Sequence, residues 1–162
     1  MAKVNDTLYT VTARADASGT VTLSLPAGAV SDALGNLSAA STSTDGTVTY
    51  VSPLTVAPTS VTVTEGDLGS SYTVSSTLPA TAPILVAATV GTPAWATVDP
   101  STASVPTTGG SVSLVVTAVD DAETNGTRQT SVTHTVTSTD QNFDGLVLAP
   151  VDLTVLDDDV VD

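Results

Sequence analysis

Cysteine is absent from this chain, so no disulfide framework, zinc–thiolate site or cysteine nucleophile can be built from it. Cations are nearly as scarce: Lys3, Arg14 and Arg128 stand against 17 acidic residues, giving a formal charge of −14. With no basic patch to displace counterions from phosphates, nucleic acid is excluded as a partner, and anionic membrane surfaces are excluded by the same argument. Aromatic residues make up 3% of the sequence, so a core has to be assembled from Val, Leu and Ala. No apolar run approaches a membrane-spanning length, which argues against membrane insertion. Met1-Ala2-Lys3 leads straight into polar sequence without the apolar segment of a signal peptide, so an exported protein of this kind is expected to be represented here by a fragment.

What the chain has in abundance is Val (25), Thr (31) and Ser (18). β-Branched side chains crowd in a helix and lose little on a pleated sheet, so the composition predicts an all-β protein. The apolar residues are periodic rather than sparse, which argues against disorder.

Strands are expected at about 8–14, 20–25 and 46–51, with Asp16-Ala17-Ser18-Gly19 as a hairpin turn between the first two. The connection 26–45, containing Ala33-Leu34-Gly35-Asn36, has room for one helical turn. Three strands leave one apolar face bare, so residues 1–51 read as a partial unit, cut from a longer module, packed against the second unit or completed by another chain. Ser52-Pro53-Leu54-Thr55-Val56-Ala57-Pro58 reads as a stiff linker at 52–58, because proline restricts itself and the residue before it. Residues 59–162 read as a whole domain, with strands at 59–64, 71–77, 84–90, 102–106, 111–119, 129–139 and 147–156. This spacing predicts an immunoglobulin-like antiparallel β-sandwich.

The acidic residues of that domain are not scattered. Glu65, the run Asp120-Asp121-Ala122-Glu123 and the run Asp157-Asp158-Asp159 each follow a stretch of alternating apolar and Ser/Thr residues. In a seven-strand sandwich the first, fifth and seventh strands run the same way, so strand parity alone sends all three groups to one pole. Ten acids against Arg128 from Asp120 onward make a self-repelling region whose stability should depend on bound cations. Crowded carboxylates in oxygen-rich loops suit a hard cation, Ca²⁺ above all, which takes about six to eight oxygen ligands.

Once these residues are laid out, most of 55–160 resembles the Calx-beta class of domain, in the form met in modular bacterial exoproteins. The matching pieces are Val-Thr-Glu-Gly at 63–66, Val-Asp-Asp at 119–121 and Asp-Asp-Asp at 157–159, in the family's order. The resemblance implies Ca²⁺ as the bound cofactor, with Glu65, Asp120, Asp121, Asp157, Asp158 and Asp159 as ligands and Glu123 beside them. The family's acidic run at that point is longer than Asp120-Asp121-Ala122-Glu123, and Gly-Thr-Pro at 91–93 lacks the acid often found there, which implies fewer or weaker ions. Residues 8–50 are similar to the C-terminal half of a bacterial immunoglobulin-like repeat, through Gly19-Thr20-Val21-Thr22, Pro26-Ala27-Gly28-Ala29 and Asp32-Ala33-Leu34-Gly35-Asn36.

The remaining chemically distinctive residues have plain readings. His134 falls in register with Val132 and Val136, which places it inward as a core histidine hydrogen-bonded to a backbone or hydroxyl group. One histidine supplies neither a zinc site nor an acid–base dyad. Asp140, Asp144 and Gly145 read as turn formers, Asp32 and Asn36 as loop shapers, and Trp95 as a packing residue of a core or domain junction. Carboxylate pairs at a sandwich tip without an aromatic cleft are poor material for glycoside hydrolysis, so no enzyme is expected. The expected role is a calcium-stabilised structural or adhesion module of a bacterial surface or secreted protein, its partners being calcium and neighbouring modules. The alternative is a self-assembling subunit whose incomplete N-terminal unit takes strands from a like chain.

Overall fold

The structure is a computed structural model of the chain, describing residues 2–5 and 8–160. It is all-β, with no helix among the described residues, and divides into two compact units, Met1–Val51 and Ser52–Asp162.

The first unit contains two separate antiparallel pairs. Strand β1 (Ala2–Asn5) pairs with β2 (Leu8–Thr10), and β3 (Gly19–Thr22) pairs with β4 (Thr47–Tyr50), setting Val21 opposite Val48. The hairpin expected around Asp16–Gly19 is therefore not formed, because β2 and β3 each take another partner. Alternation marks a stretch as strand but does not choose its neighbour. No helical turn forms in 26–45 either. Asp32 Oδ1 accepts from the backbone N–H of Leu34 and of Asn36, each at 2.9 Å, while Oδ2 accepts from Asn36 Nδ2 at 2.8 Å. This side-chain capture of the backbone outcompetes a helical turn. It also holds the Asp32 carboxyl below its ordinary range, chiefly through the Asn36 side chain. None of residues 10–51 is buried, and Leu23, Leu37 and Val48 lie largely exposed.

The second unit is a two-layer sandwich. One layer has the order β5 (Leu54–Ala57), β7 (Ser70–Ser76), β11 (Gly110–Ala118), β9 (Ala96–Asp99). The other has the order β10 (Thr102–Val105), β8 (Ile84–Val90), β12 (Arg128–Thr137), β13 (Val151–Leu156), β6 (Ser60–Thr64). Alternate residues point inward, so Tyr72, Val74, Leu114 and Val116 of the first layer meet Val86, Val132, Leu153 and Val155 of the second, all buried. Burying each such side chain stabilises by about 1.5–3 kcal/mol. A core of this size lets the unit stand where the first unit has nothing comparable.

Two expectations are corrected here. Residues 54–57, read as linker, form edge strand β5, with Leu54 opposite Ser76 and Val56 opposite Val74. Pro53 and Pro58 sit just outside it, where their missing N–H groups cost the ladder nothing. Residues 96–99 form an additional strand, β9, too short between Pro93 and Pro100 to show a period. Within the antiparallel sandwich β6 and β13 make one parallel pair, Val63 beside Val155. Strand β6 lies at the edge of its layer beside β13, and the two run the same way.

His134 faces inward as expected. Its Nε2 lies 2.9 Å from the Tyr72 hydroxyl, and the two rings meet edge to face at 5.4 Å. Burial lowers the His134 pKa, outweighing the opposing Ala149 backbone contact, and burial raises that of Tyr72 to about 12. A histidine pKa lowered on folding means that the unfolded chain binds the proton more readily. Stability is therefore complete above the ordinary histidine value of about 6.5 and declines as pH falls below it. Melting curves across this range should show that slope in the parent chain and lose it in His134→Gln; an equal slope in both would assign it to other groups.

Candidate metal centre

The parallel pair β6–β13 builds the site. Glu65 N–H donates to the Leu156 carbonyl at 3.0 Å, extending the ladder by one residue, so Glu65 and Asp157 leave the sheet side by side. Gly66 then turns the chain with φ of +75°, and a Cβ there would lie 3.1 Å from an Asp158 carboxylate oxygen. Glycine is thus required both by its torsion and by the room Asp158 takes. From the other layer, Val119 N–H donates to the Trp95 carbonyl at 2.9 Å, which delivers Asp120 and Asp121 just beyond the end of β11.

These strand ends bring together two sets of carboxylates. Oxygens of Glu65, Asp120 and Asp158 lie within 4.8 Å of one another, and so do those of Glu65, Asp157 and Asp159. Ligand oxygens at about 2.3–2.6 Å from a common Ca²⁺ can be no more than roughly 5 Å apart, so either set can share an ion. Glu65 belongs to both and is 1% exposed.

The electrostatics around it are uneven. The Asp157 carboxyl is held below its usual range, first by the Gly126 N–H at 2.5 Å, then by the Asp159 N–H at 2.8 Å, with Asn125 N–H and Arg128 adding to the effect. The Asp159 carboxyl is pushed the other way, first by burial and then by repulsion from Asp157, Asp158, Asp120 and Asp121. Its Oδ2 is buried with no hydrogen-bond partner. A buried, orphaned carboxylate oxygen in an all-oxygen donor set fits a hard divalent cation.

Of the residues expected at the pole, Glu65, Asp120, Asp157, Asp158 and Asp159 meet in these sets. Asp121 and Glu123 lie outside them. Asp121 Oδ1 accepts from the Glu123 N–H at 2.8 Å and from Asn125 Nδ2 at 3.1 Å, so it shapes the β11–β12 loop, while the Glu123 side chain is exposed.

Sequence reasoning missed Arg128 and misplaced Trp95. Arg128 opens β12, and its Nη2 donates to Glu65 Oε1 in an ion pair whose side chains are 11% and 0% exposed. Its Nη1 lies 3.6 Å from Asp121 Oδ2, and its guanidinium sits 5.6 Å from the Trp95 ring centre. Trp95 is thus half-buried as the floor under this cation. The signal was available: strand parity that ends β11 and β13 at this pole also starts β12 there.

At the far end of β12, Asp140 is buried and holds Thr81, its Oδ2 accepting from Thr81 N–H at 2.8 Å and Thr81 Oγ1 at 2.9 Å. Asp144 accepts from Ser138 N–H at 3.1 Å. Both are turn formers, as expected.

No family model matches the sequence, and no curated protein matches it. Among solved structures, the chain is similar to the periplasmic chaperone SfaE, with a TM-score of 0.51 and 12% identity over 67% of this chain and 60% of that one. It is similar also to the apo-form Calx CBD1 domain, with a TM-score of 0.50 and 16% identity over 65% of this chain and 96% of that one. The chain thus spans about 60% of the chaperone's length. At these identities the likeness establishes the fold, an immunoglobulin-like β-sandwich.

Proposed function

We propose that the chain is a non-catalytic, calcium-stabilised structural module of a bacterial surface or secreted protein, related to Calx-beta domains. The observation that carries this reading is the buried Glu65 carboxylate at the junction of two oxygen triads from the ends of β6, β11 and β13. The fold shared with the Calx CBD1 domain supports it. Glu65, Asp120, Asp157, Asp158 and Asp159 serve as ligands, and Asp121 and Glu123 order the adjoining loop. Ca²⁺ at the pole relieves the repulsion that burdens Asp159 and ties together three loops from both layers, stiffening the end where a following module would join.

Extracellular calcium modules bind with Kd of roughly 10⁻⁴–10⁻³ M. At about 10 mM CaCl2 that linkage adds about 1.4–2.7 kcal/mol per site. For a domain of this size the Tm should rise on the order of 5–15 °C over that in EDTA. A Tm indifferent to the exchange of EDTA for calcium would overturn the proposal.

A second reading is favoured by the first unit alone. Its β3–β4 pair has no further strand partner among the described residues, and a groove of about 310 Å³ between Leu23, Leu25, Ser41 and Val48 lies open beside it. Unpaired edges next to apolar surface accept added strands, so like subunits could complete the unit by β-augmentation. Light scattering over a concentration series tests this: growth in mass supports assembly, and a constant monomer mass rejects it.

A further inference from the structure

We infer that Arg128 is a resident cation of the acidic pole, which holds Glu65 when calcium is absent and competes with the ion for that carboxylate. This rests on the calcium site proposed above and adds to it the residue that sets its strength.

Arg128 is the only Lys or Arg between residues 52 and 162, yet it lies among the carboxylates rather than on an open face. Its register opposite Val155 of β13 fixes the backbone where Glu65 and Asp157 emerge. The guanidinium reaches Glu65 and Asp121 with its fork and lies over the Trp95 ring, an arrangement suited to a planar delocalised cation. Its Nε is buried with no hydrogen-bond partner. The fork is therefore incompletely satisfied, and the charge of the pole rather than a full set of hydrogen bonds holds it there. Glu65, shared by both triads, has Oε1 engaged by Arg128 and Oε2 facing the Asp121 N–H at 3.4 Å. An ion in either triad must share or take that carboxylate, with a unit positive charge a few ångströms away opposing it. Without the ion, the same charge keeps Glu65 from standing buried and uncompensated.

The test is a calorimetric titration of CaCl2 into the parent chain and into Arg128→Gln, with the emission of Trp95, the sole tryptophan, followed in parallel. The variant is expected to bind calcium about tenfold more tightly, the scale set by removing a nearby opposing charge. Its metal-free Tm should fall, and its calcium-induced rise should widen. Binding to the parent should change Trp95 emission as the guanidinium shifts over the ring. Parent binding with no gain in Arg128→Gln overturns the inference and leaves the calcium module standing. Binding by Arg128→Gln alone supports the inference and overturns the module, since Arg128 would then replace the ion outright. Binding by neither overturns both. Should Arg128→Gln fail to fold without calcium, two other measurements decide. Arg128→Lys, which keeps the charge, should bind with nearly the parent affinity, and a tenfold gain there would refute charge competition. A Trp95 spectrum unchanged at saturating calcium in the parent would refute it as well.

Discussion

Glu65→Gln should lower the metal-free Tm and remove the calcium-induced rise at the same time. The substitution keeps the shape of the side chain and discards its charge. Arg128, 11% exposed, is then left with Asp121 at 3.6 Å as its nearest carboxylate. Breaking a buried ion pair from one side costs about 3–5 kcal/mol, and the surrounding acids place this case at about 3. That corresponds to a Tm loss of roughly 10–15 °C in EDTA. Calcium should restore none of it, because both triads lose the negative charge of their common ligand. Asp158→Asn gives the contrast: Asp158 is exposed and belongs to one triad, so the metal-free Tm should hold while the calcium response shrinks. A full calcium response surviving in Glu65→Gln would show that the ion sits elsewhere.

Phe143→Ala should produce a loss of similar or greater size with the opposite consequence for calcium. Phe143 is the only phenylalanine, 1% exposed, and lies in the loop that follows β12. Truncating a buried phenylalanine costs about 3–5 kcal/mol, a Tm fall of roughly 12–25 °C here. Strand β12 has ten residues, so at about 3.3 Å each its two ends are some 30 Å apart. Effects at that separation add independently. The gap between EDTA and calcium should therefore persist in Phe143→Ala, although both curves move down. A gap that closes would mean that the ion stabilises through the whole core rather than at the pole. Together the two variants separate loss of a ligand from loss of stability.

The acidic pole is legible in the sequence because strand alternation and strand parity meet there. Alternation over 61–63, 112–118 and 151–155 marked strands, and parity then sent Glu65, Asp120 and Asp157 to one end. The same parity places the start of β12, and hence Arg128, at that end. A lone cation amid seven carboxylates is easily passed over when charge is counted rather than located. Strands β5 and β9 were hidden for another reason. Strands of four residues flanked by prolines carry too little pattern, and only the ladder partners, Val74 beside Val56 and Ala118 beside Ala96, reveal them.

Composition and period by themselves determined that the chain is all-β, that its core is aliphatic and that its second unit forms a sandwich, since these depend on residue types and their spacing along the strand. Which strands are neighbours, including the parallel contact of β6 with β13, was decided only in three dimensions, because pairing joins residues far apart in the chain. The same holds for the division of labour within the pole. Asp157 and Asp159 are two residues apart in one acidic run, yet backbone N–H groups stabilise the charge on the first while burial among like charges penalises it on the second. Identical side chains acquire opposite tendencies from the partners that folding sets around them.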